Sequence, residues 1–190
     1  MKVVAFNGSP RNGGNTSVLI EHALKELEAQ GIETEHIHLK GPIQGCIACF
    51  KCFDSKNRKC VLEDDMVNSC ISKMIDADGI ILGSPTYFAD LTPELKALID
   101  RAGFVNMANG GMFKHKVGAA VVAVRRAGAV HVFDSINHFF LISQMIIPGS
   151  NYWNLGMGLE EKDVEKDAEG MQTMKVLGEN MAWLLKKLHA

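Results

Sequence analysis

Four cysteines crowd into one stretch, Cys46, Cys49, Cys52 and Cys60, in the string CIACFKCFDSKNRKC. Two successive two-residue spacings curl a loop so that three thiolates converge on one centre, the arrangement that holds a [4Fe–4S] cluster. Cys60 lies in the same loop with Val61 after it, so one cluster with four local ligands is the natural assignment. Structural zinc is a weaker match, because it usually draws on two separated pairs. His36 and His38 precede the loop but fall on a strand pattern and read as exposed strand residues. Free thiols without metal are the third reading. Cys70 sits at core spacing further on and reads as a small buried hydrophobe.

A second constellation follows the first apolar run: Asn7-Gly8-Ser9-Pro10-Arg11-Asn12-Gly13-Gly14-Asn15-Thr16-Ser17, after which a helix begins. A helix N-terminus offers unpaired N–H groups and a positive dipole end, and here hydroxyls and one arginine stand beside it. Together they suit a phosphate. No Gly-Lys-Ser/Thr is present, so the lysine and magnesium hydroxyl of a P-loop are missing, and so is the Gly-x-Gly-x-x-Gly fingerprint. A hydroxyl-rich loop without lysine fits a terminal monophosphate, as in FMN, better than a pyrophosphate. The third constellation is Gly83-Ser84-Pro85-Thr86-Tyr87-Phe88, followed by Ala89 to Pro93. Tyr87 and Phe88 can lie against a planar ligand, with Thr86 and backbone N–H groups on its polar edge.

These turns need elements to hold them. Short apolar runs predict strands at Val3 to Phe6, Thr34 to Leu39, Gly79 to Leu82 and Val117 to Val124, with a weaker one at Met145 to Ile147. Longer periodic segments predict helices over Thr16 to Ala29, Met66 to Asp76, Pro93 to Ala102, Val130 to Ser143 and Glu169 to Leu188. Asp64 or Asp65 can cap the second, Thr92 before Pro93 the third, and Gly31 suits a left-handed end to the first. Strands alternating with helices mean an α/β, doubly wound parallel sheet with right-handed crossovers. Ligands then bind at the carboxyl ends of the strands, which is where all three turns fall. The chain reads as a single domain, 1–190, with two long loops: the cysteine loop (40–63) and 149–168, which carries Tyr152 and Trp153 ahead of the last helix (169–188).

The composition is that of a globular protein: 190 residues, 47% hydrophobic and 22% charged, with a formal net charge of −2. Near neutrality gives no global reason to seek nucleic acid or acidic membranes. Five cysteines, an odd number and mostly in one loop, do not make a secreted disulfide scaffold. The four-residue apolar run near the N-terminus is too short for a signal peptide. These features predict a soluble, cytoplasmic protein with no nucleic-acid or membrane partner.

Gly8-Ser9-Pro10-Arg11 with Asn15-Thr16, together with Pro85-x-Tyr87 and Pro93-x-Leu95-Lys96-x-x-x-Asp100-Arg101, resembles the NADPH-dependent FMN reductase branch of the flavodoxin-like flavoproteins over about residues 2–150. The resemblance implies a five-stranded sheet of order 2-1-3-4-5. It implies FMN with its phosphate on Ser9, Arg11, Asn15, Thr16 and Ser17, and the isoalloxazine on Pro85, Thr86, Tyr87 and Phe88. Relatives often have a glycine-rich loop where this chain has Arg125-Arg126-Ala127-Gly128. Either arginine near the flavin would stabilise its anionic reduced form; a salt-bridged helix start is the plainer reading.

The cysteine motif followed by Asp64-Asp65-Met66 is similar to the iron–sulfur flavoproteins, a subset of the same family, although the Cys52 to Cys60 interval is longer here. What the resemblance implies is an FMN-dependent oxidoreductase, with NAD(P)H, ferredoxin or a quinone as electron partner and a homodimer or homotetramer as the assembly. A flavodoxin-type electron carrier and a cysteine-loop redox or metal sensor are the other two readings.

Overall fold

The computed structural model describes residues 1–190. Strands β1 (Lys2–Asn7), β2 (Glu33–His38), β3 (Gly79–Pro85), β4 (Val117–Val124) and β5 (Leu155–Met157) form one sheet in the order β2-β1-β3-β4-β5, with every pairing parallel. Six helices complete the chain: α1 (Asn15–Ala29), α2 (Lys51–Ser55), α3 (Val67–Asp76), α4 (Pro93–Ala108), α5 (Ala129–Ile142) and α6 (Ala168–Leu188). The doubly wound parallel sheet is the one the residues predict, and its order is the flavodoxin-like one the resemblance implies. No helix is long and apolar enough to cross a membrane.

The strand period of two sorts the core onto two faces. Val4, Phe6, Ile80, Leu82, Ala120 and Val122 point to one side, where they pack with residues of α3, α4 and α5. Val3, Ala5, Ile81, Ala119 and Val121 point to the other, beneath α1 and α6. Both faces being covered, β1, β3 and β4 have to be apolar throughout. The edge strand β2 is different: Glu33 and Glu35 pair with Lys2 at 3.0 and 3.2 Å, and such charge deters pairing with a foreign strand. His36 and His38 are only partly exposed rather than free strand side chains. Burial, chiefly, holds the His36 imidazole below its usual value, against the opposing pull of Glu21.

Helix ends follow the local residues. Asp65 Oδ1 accepts the Val67 N–H at 3.0 Å at the start of α3. Thr92 caps α4 with Pro93 at its first position. Gly31, at φ 79°, donates its N–H to the Glu28 carbonyl at 2.9 Å and ends α1.

The fifth strand differs from expectation. Met145 to Ile147 does touch the sheet, but only through a bridge from Ile146 to Val117 at the start of β4. The chain then leaves at Pro148 and returns to the other half of β4, where Leu155, Gly156 and Met157 pair with Val122, Ala123 and Val124. One edge is thus served by two short segments, and the second lies inside what the sequence reads as a long loop. Gly156 makes the return possible: a Cβ there would stand 2.5 Å from Leu19 Cδ2 and 2.6 Å from Val164 Cγ2.

Gly118 in β4 is equally constrained, because an added Cβ would lie 2.7 Å from Phe140 Cδ1 and 2.8 Å from Cγ, atoms of a buried ring with nowhere to go. Gly118→Ala should destabilise the protein by about 1–3 kcal/mol, the usual cost of overpacking, seen as a lower urea midpoint with an unchanged slope.

Candidate functional site

Asn7, wholly buried at the end of β1, shapes the first turn. Its Oδ1 accepts the Ser9 N–H at 2.9 Å and its Nδ2 donates to Ser17 Oγ at 2.8 Å. Ser9 Oγ in turn accepts the Arg11 N–H at 3.2 Å, and the Ser9 carbonyl meets His38 Nε2. Gly14 caps α1 without any side-chain acceptor. The first N–H groups of α1 therefore have no intrahelical partner and present the positive end of the helix to the turn.

The second turn is tied to the first. The Gly8 N–H donates to the Gly83 carbonyl at 2.8 Å, and Thr92 Oγ1 donates to the Gly8 carbonyl at 2.8 Å. Thr86 is bound to β4 twice, its N–H and its hydroxyl both reaching the Ala123 carbonyl, at 2.9 and 3.2 Å. Tyr87 and Asp90 exchange backbone hydrogen bonds of 2.8 and 2.9 Å around Phe88 and Ala89, both with positive φ. Two successive left-handed residues make this a type I′ turn, a geometry that favours Gly or Asn; holding Phe88 and Ala89 there stores strain.

A cleft of about 160 Å³ opens between these turns, bordered by Ser9, Arg11, Asn15, Thr16, Pro85, Thr86, Tyr87 and Arg125. No carboxylate lines it. A second hollow of about 310 Å³ adjoins it over Thr86, Val124, Arg125, Arg126 and Ala127. Other residues of interest lie outside the cleft wall. Ser17 is buried behind Asn7, and Phe88 stands fully exposed at the tip of its turn. Arg126 and Gly128 line a third cavity, of about 250 Å³, that reaches Tyr152 and Gly170. Asn15 has a further task, donating to the Glu160 carbonyl at 2.9 Å and accepting the Val164 N–H at 3.2 Å.

Three residues to which the sequence assigns no binding role complete the cleft region. Asn7 organises the turn, and Gly158 and Leu159 close one wall. Asn7 was visible at the strand end. Gly158 was legible only as a glycine in a long loop; a Cβ on it would stand 2.7 Å from the Val164 nitrogen.

Cys46, Cys49, Cys52 and Cys60 all border one small cavity of about 20 Å³, with Phe104 and Arg101 forming its inner wall. Room for about one water molecule is all that volume gives. No three of these side chains are set to hold a metal ion as they stand. Four residues of this loop that are not glycine, Ala48, Phe50, Lys56 and Arg58, have positive φ, at a cost of order 1–2 kcal/mol each. A loop that holds four such residues is curled tightly by something other than local preference. Phe50, Phe53 and Phe104 pack with ring centroids 5.6 to 6.0 Å apart, fastening it to α4. Asn68 grips Cys60 through both its N–H and its carbonyl, at 2.8 and 2.9 Å. Burial, above all, pushes the Cys52 thiol above its ordinary value. Cys70 lies apart in the core, its thiol pushed up to about 12 by burial.

Arg101 of α4, the last residue of the Pro93 to Arg101 motif, is 1% exposed and pairs with Asp65. Burial works to raise the Asp65 carboxyl, but hydrogen bonds from Arg101 and from the Val67 and Gln44 N–H groups outweigh it and hold the group below its usual 3.8. The stability this pair confers is complete above that value and disappears as the pH falls through the lower folded-state value. Asp65→Asn should therefore cost about 3–5 kcal/mol at neutral pH by leaving a buried cation uncompensated. Urea titrations repeated toward pH 2 should show the difference between the two proteins shrinking.

The family model described as NADPH-dependent FMN reductase matches residues 1–160. An iron–sulfur flavoprotein of Methanocaldococcus jannaschii is 39% identical over 194 residues, covering 98% of both chains. An iron–sulfur flavoprotein of Methanosarcina thermophila is 34% identical over 189 residues, covering 98% of this chain and 96% of its own. Among solved structures, a WrbA-like flavodoxin from Agrobacterium tumefaciens superposes with a TM-score of 0.68 at 14% identity, over 98% of this chain and 97% of that one; at that identity the likeness concerns the fold. With its turns, its sheet order and these relatives in view, the chain belongs to the NADPH-dependent FMN reductase family, among members that carry the iron–sulfur flavoprotein name.

Proposed function

We propose that this single-domain chain is an FMN-dependent oxidoreductase that passes electrons from a reduced donor, NAD(P)H by family resemblance, through bound FMN. In this reading a [4Fe–4S] cluster on Cys46, Cys49, Cys52 and Cys60 serves as its one-electron partner. The observation that carries the first part is the convergence of three β-to-α turns on one cleft with free helix N–H groups, hydroxyls, two arginines and no carboxylate. That donor set fits a phosphate monoester. Ser9, Thr16, Arg11 and the first N–H groups of α1 would hold it; Pro85, Thr86 and Tyr87 would bear on the ring; Arg125 would add positive charge beside it. FMN supplies the redox chemistry when bound, accepting electrons in pairs and releasing them singly. The protein's own residues bind, orient and set the charge of the site, so no separate acid or base is required.

The cysteine donor set fits a thiolate-ligated cluster, and the names of the relatives support it. Seating one requires the loop to open beyond its present cavity of about 20 Å³, and Ile47, 53% exposed, lies on its outer side. The strain of the left-handed residues then has a purpose, since strained backbone concentrates where ligands are gripped.

Anaerobic purification followed by flavin, iron and sulfide analysis tests both parts. Bound FMN is expected at about one per chain, and NAD(P)H should be oxidised in its presence; protein given excess FMN that retains none would refute the flavin reading. Arg11→Gln should weaken FMN binding about 10- to 100-fold, the worth of a charged hydrogen bond, as measured by flavin fluorescence quenching. Cys49→Ser should lose iron and sulfide while keeping FMN.

A further inference from the structure

We infer that Arg101 is a positioning residue for Cys60 and raises the reduction potential of the centre the four cysteines hold, an assignment that rests on the cluster reading above. The geometry of its guanidinium carries the argument. One terminal nitrogen donates to the Gln44 carbonyl at 3.1 Å and to Asp65; the other donates to the Leu62 carbonyl at 2.6 Å. Nε donates to Cys60 Sγ at 3.3 Å. Gln44 precedes the first cysteine and Leu62 follows the last, so one side chain on a rigid helix clasps both ends of the loop.

A clasp alone would not need the sulfur. Three oxygen acceptors already close the loop and compensate the charge. A neutral thiol is a weak acceptor, and a buried guanidinium N–H gains little by meeting one. A thiolate is a strong acceptor for a charged donor. The fork is thus aimed at a sulfur that is to carry negative charge, as a metal-bound cysteine does. Lysine, with one nitrogen, cannot serve the sulfur and both ends of the loop from a single rigid plane.

The consequence for the centre is electrostatic. On reduction it takes one electron from the donor, no bond forms or breaks, and its negative charge increases. A buried cation with an N–H on one of its sulfurs favours the more negative form, because hydrogen bonds to sulfur and net charge set such potentials. Arg101 is the only side chain that donates a hydrogen bond to any of the four ligands' sulfurs, so its effect enters through Cys60.

The test uses anaerobically reconstituted full-length protein, with dithionite as the reductant. Cluster midpoint potentials are measured by EPR-monitored titration for wild type, Arg101→Lys and Arg101→Gln, with the FMN potential as an internal reference. The expected order is wild type highest, Arg101→Lys intermediate and Arg101→Gln lowest, with FMN unmoved; equal cluster potentials in all three would overturn the inference. Where the variants do not fold or load, reduced wild-type protein labelled with 15N-arginine is examined by pulsed EPR. A hyperfine coupling to arginine nitrogen supports the assignment, and its absence overturns it. Wild-type protein that holds FMN but neither iron nor sulfide would overturn the cluster reading and this inference together, whereas a loaded cluster blind to Arg101 would overturn the inference alone.

Discussion

The site is organised around a single backbone contact, the hydrogen bond from the Gly8 N–H to the Gly83 carbonyl, reinforced by the Thr92 hydroxyl on the Gly8 carbonyl. It fastens the turn after β1 to the turn after β3, so the two sides of the cleft cannot drift apart. Only glycine permits it. A Cβ at position 8 would lie 2.7 Å from Thr92 Oγ1 and 2.8 Å from Leu95 Cβ, and Thr92 is already committed as the cap of α4. Helix start, turn curvature and cleft width are therefore one coupled arrangement, which suits a cofactor that must be held without reorganisation.

The cysteine loop depends on a different compromise. Its left-handed residues and its buried ion pair each cost free energy, and the compensation comes from α4. Phe104 takes up Phe50 and Phe53, while Arg101 binds both ends of the loop and pairs with Asp65. Replacing a whole buried pair of this kind by apolar residues changes stability little, but the loss of either partner alone is severe. The same helix is capped by Thr92 beside the cleft and carries Arg101 to the cysteines, so a single rigid element links both candidate centres.

Much of this was legible from residues in order. The apolar strands buried on both faces, the capping residues Asp65, Thr92 and Gly31, and the hydroxyl-rich turn are local signals, and local signals survive translation into structure. The fifth strand was not legible, because Leu155–Met157 is three residues long with a glycine at its centre and pairs through backbone alone. Met145 to Ile147 had the stronger strand signal yet contributes one bridge. The two aromatics of the second turn read alike in sequence, but the type I′ turn sends Phe88 outward and leaves Tyr87 on the cleft.

Residue type and spacing alone determined which groups are available: four thiols in one loop, an anion-receptive turn, and an alternation of elements that obliges a parallel sheet. Only the tertiary structure decided which of them meet. Arg101 lies 41 residues from Cys60 in the chain, and Asn15 lies 145 from Glu160; neither pairing has a local signature. The reason is physical. Periodicity and capping are short-range preferences of the backbone, whereas a guanidinium buried against a sulfur is settled by how α4 packs on the sheet and on the loop that crosses it.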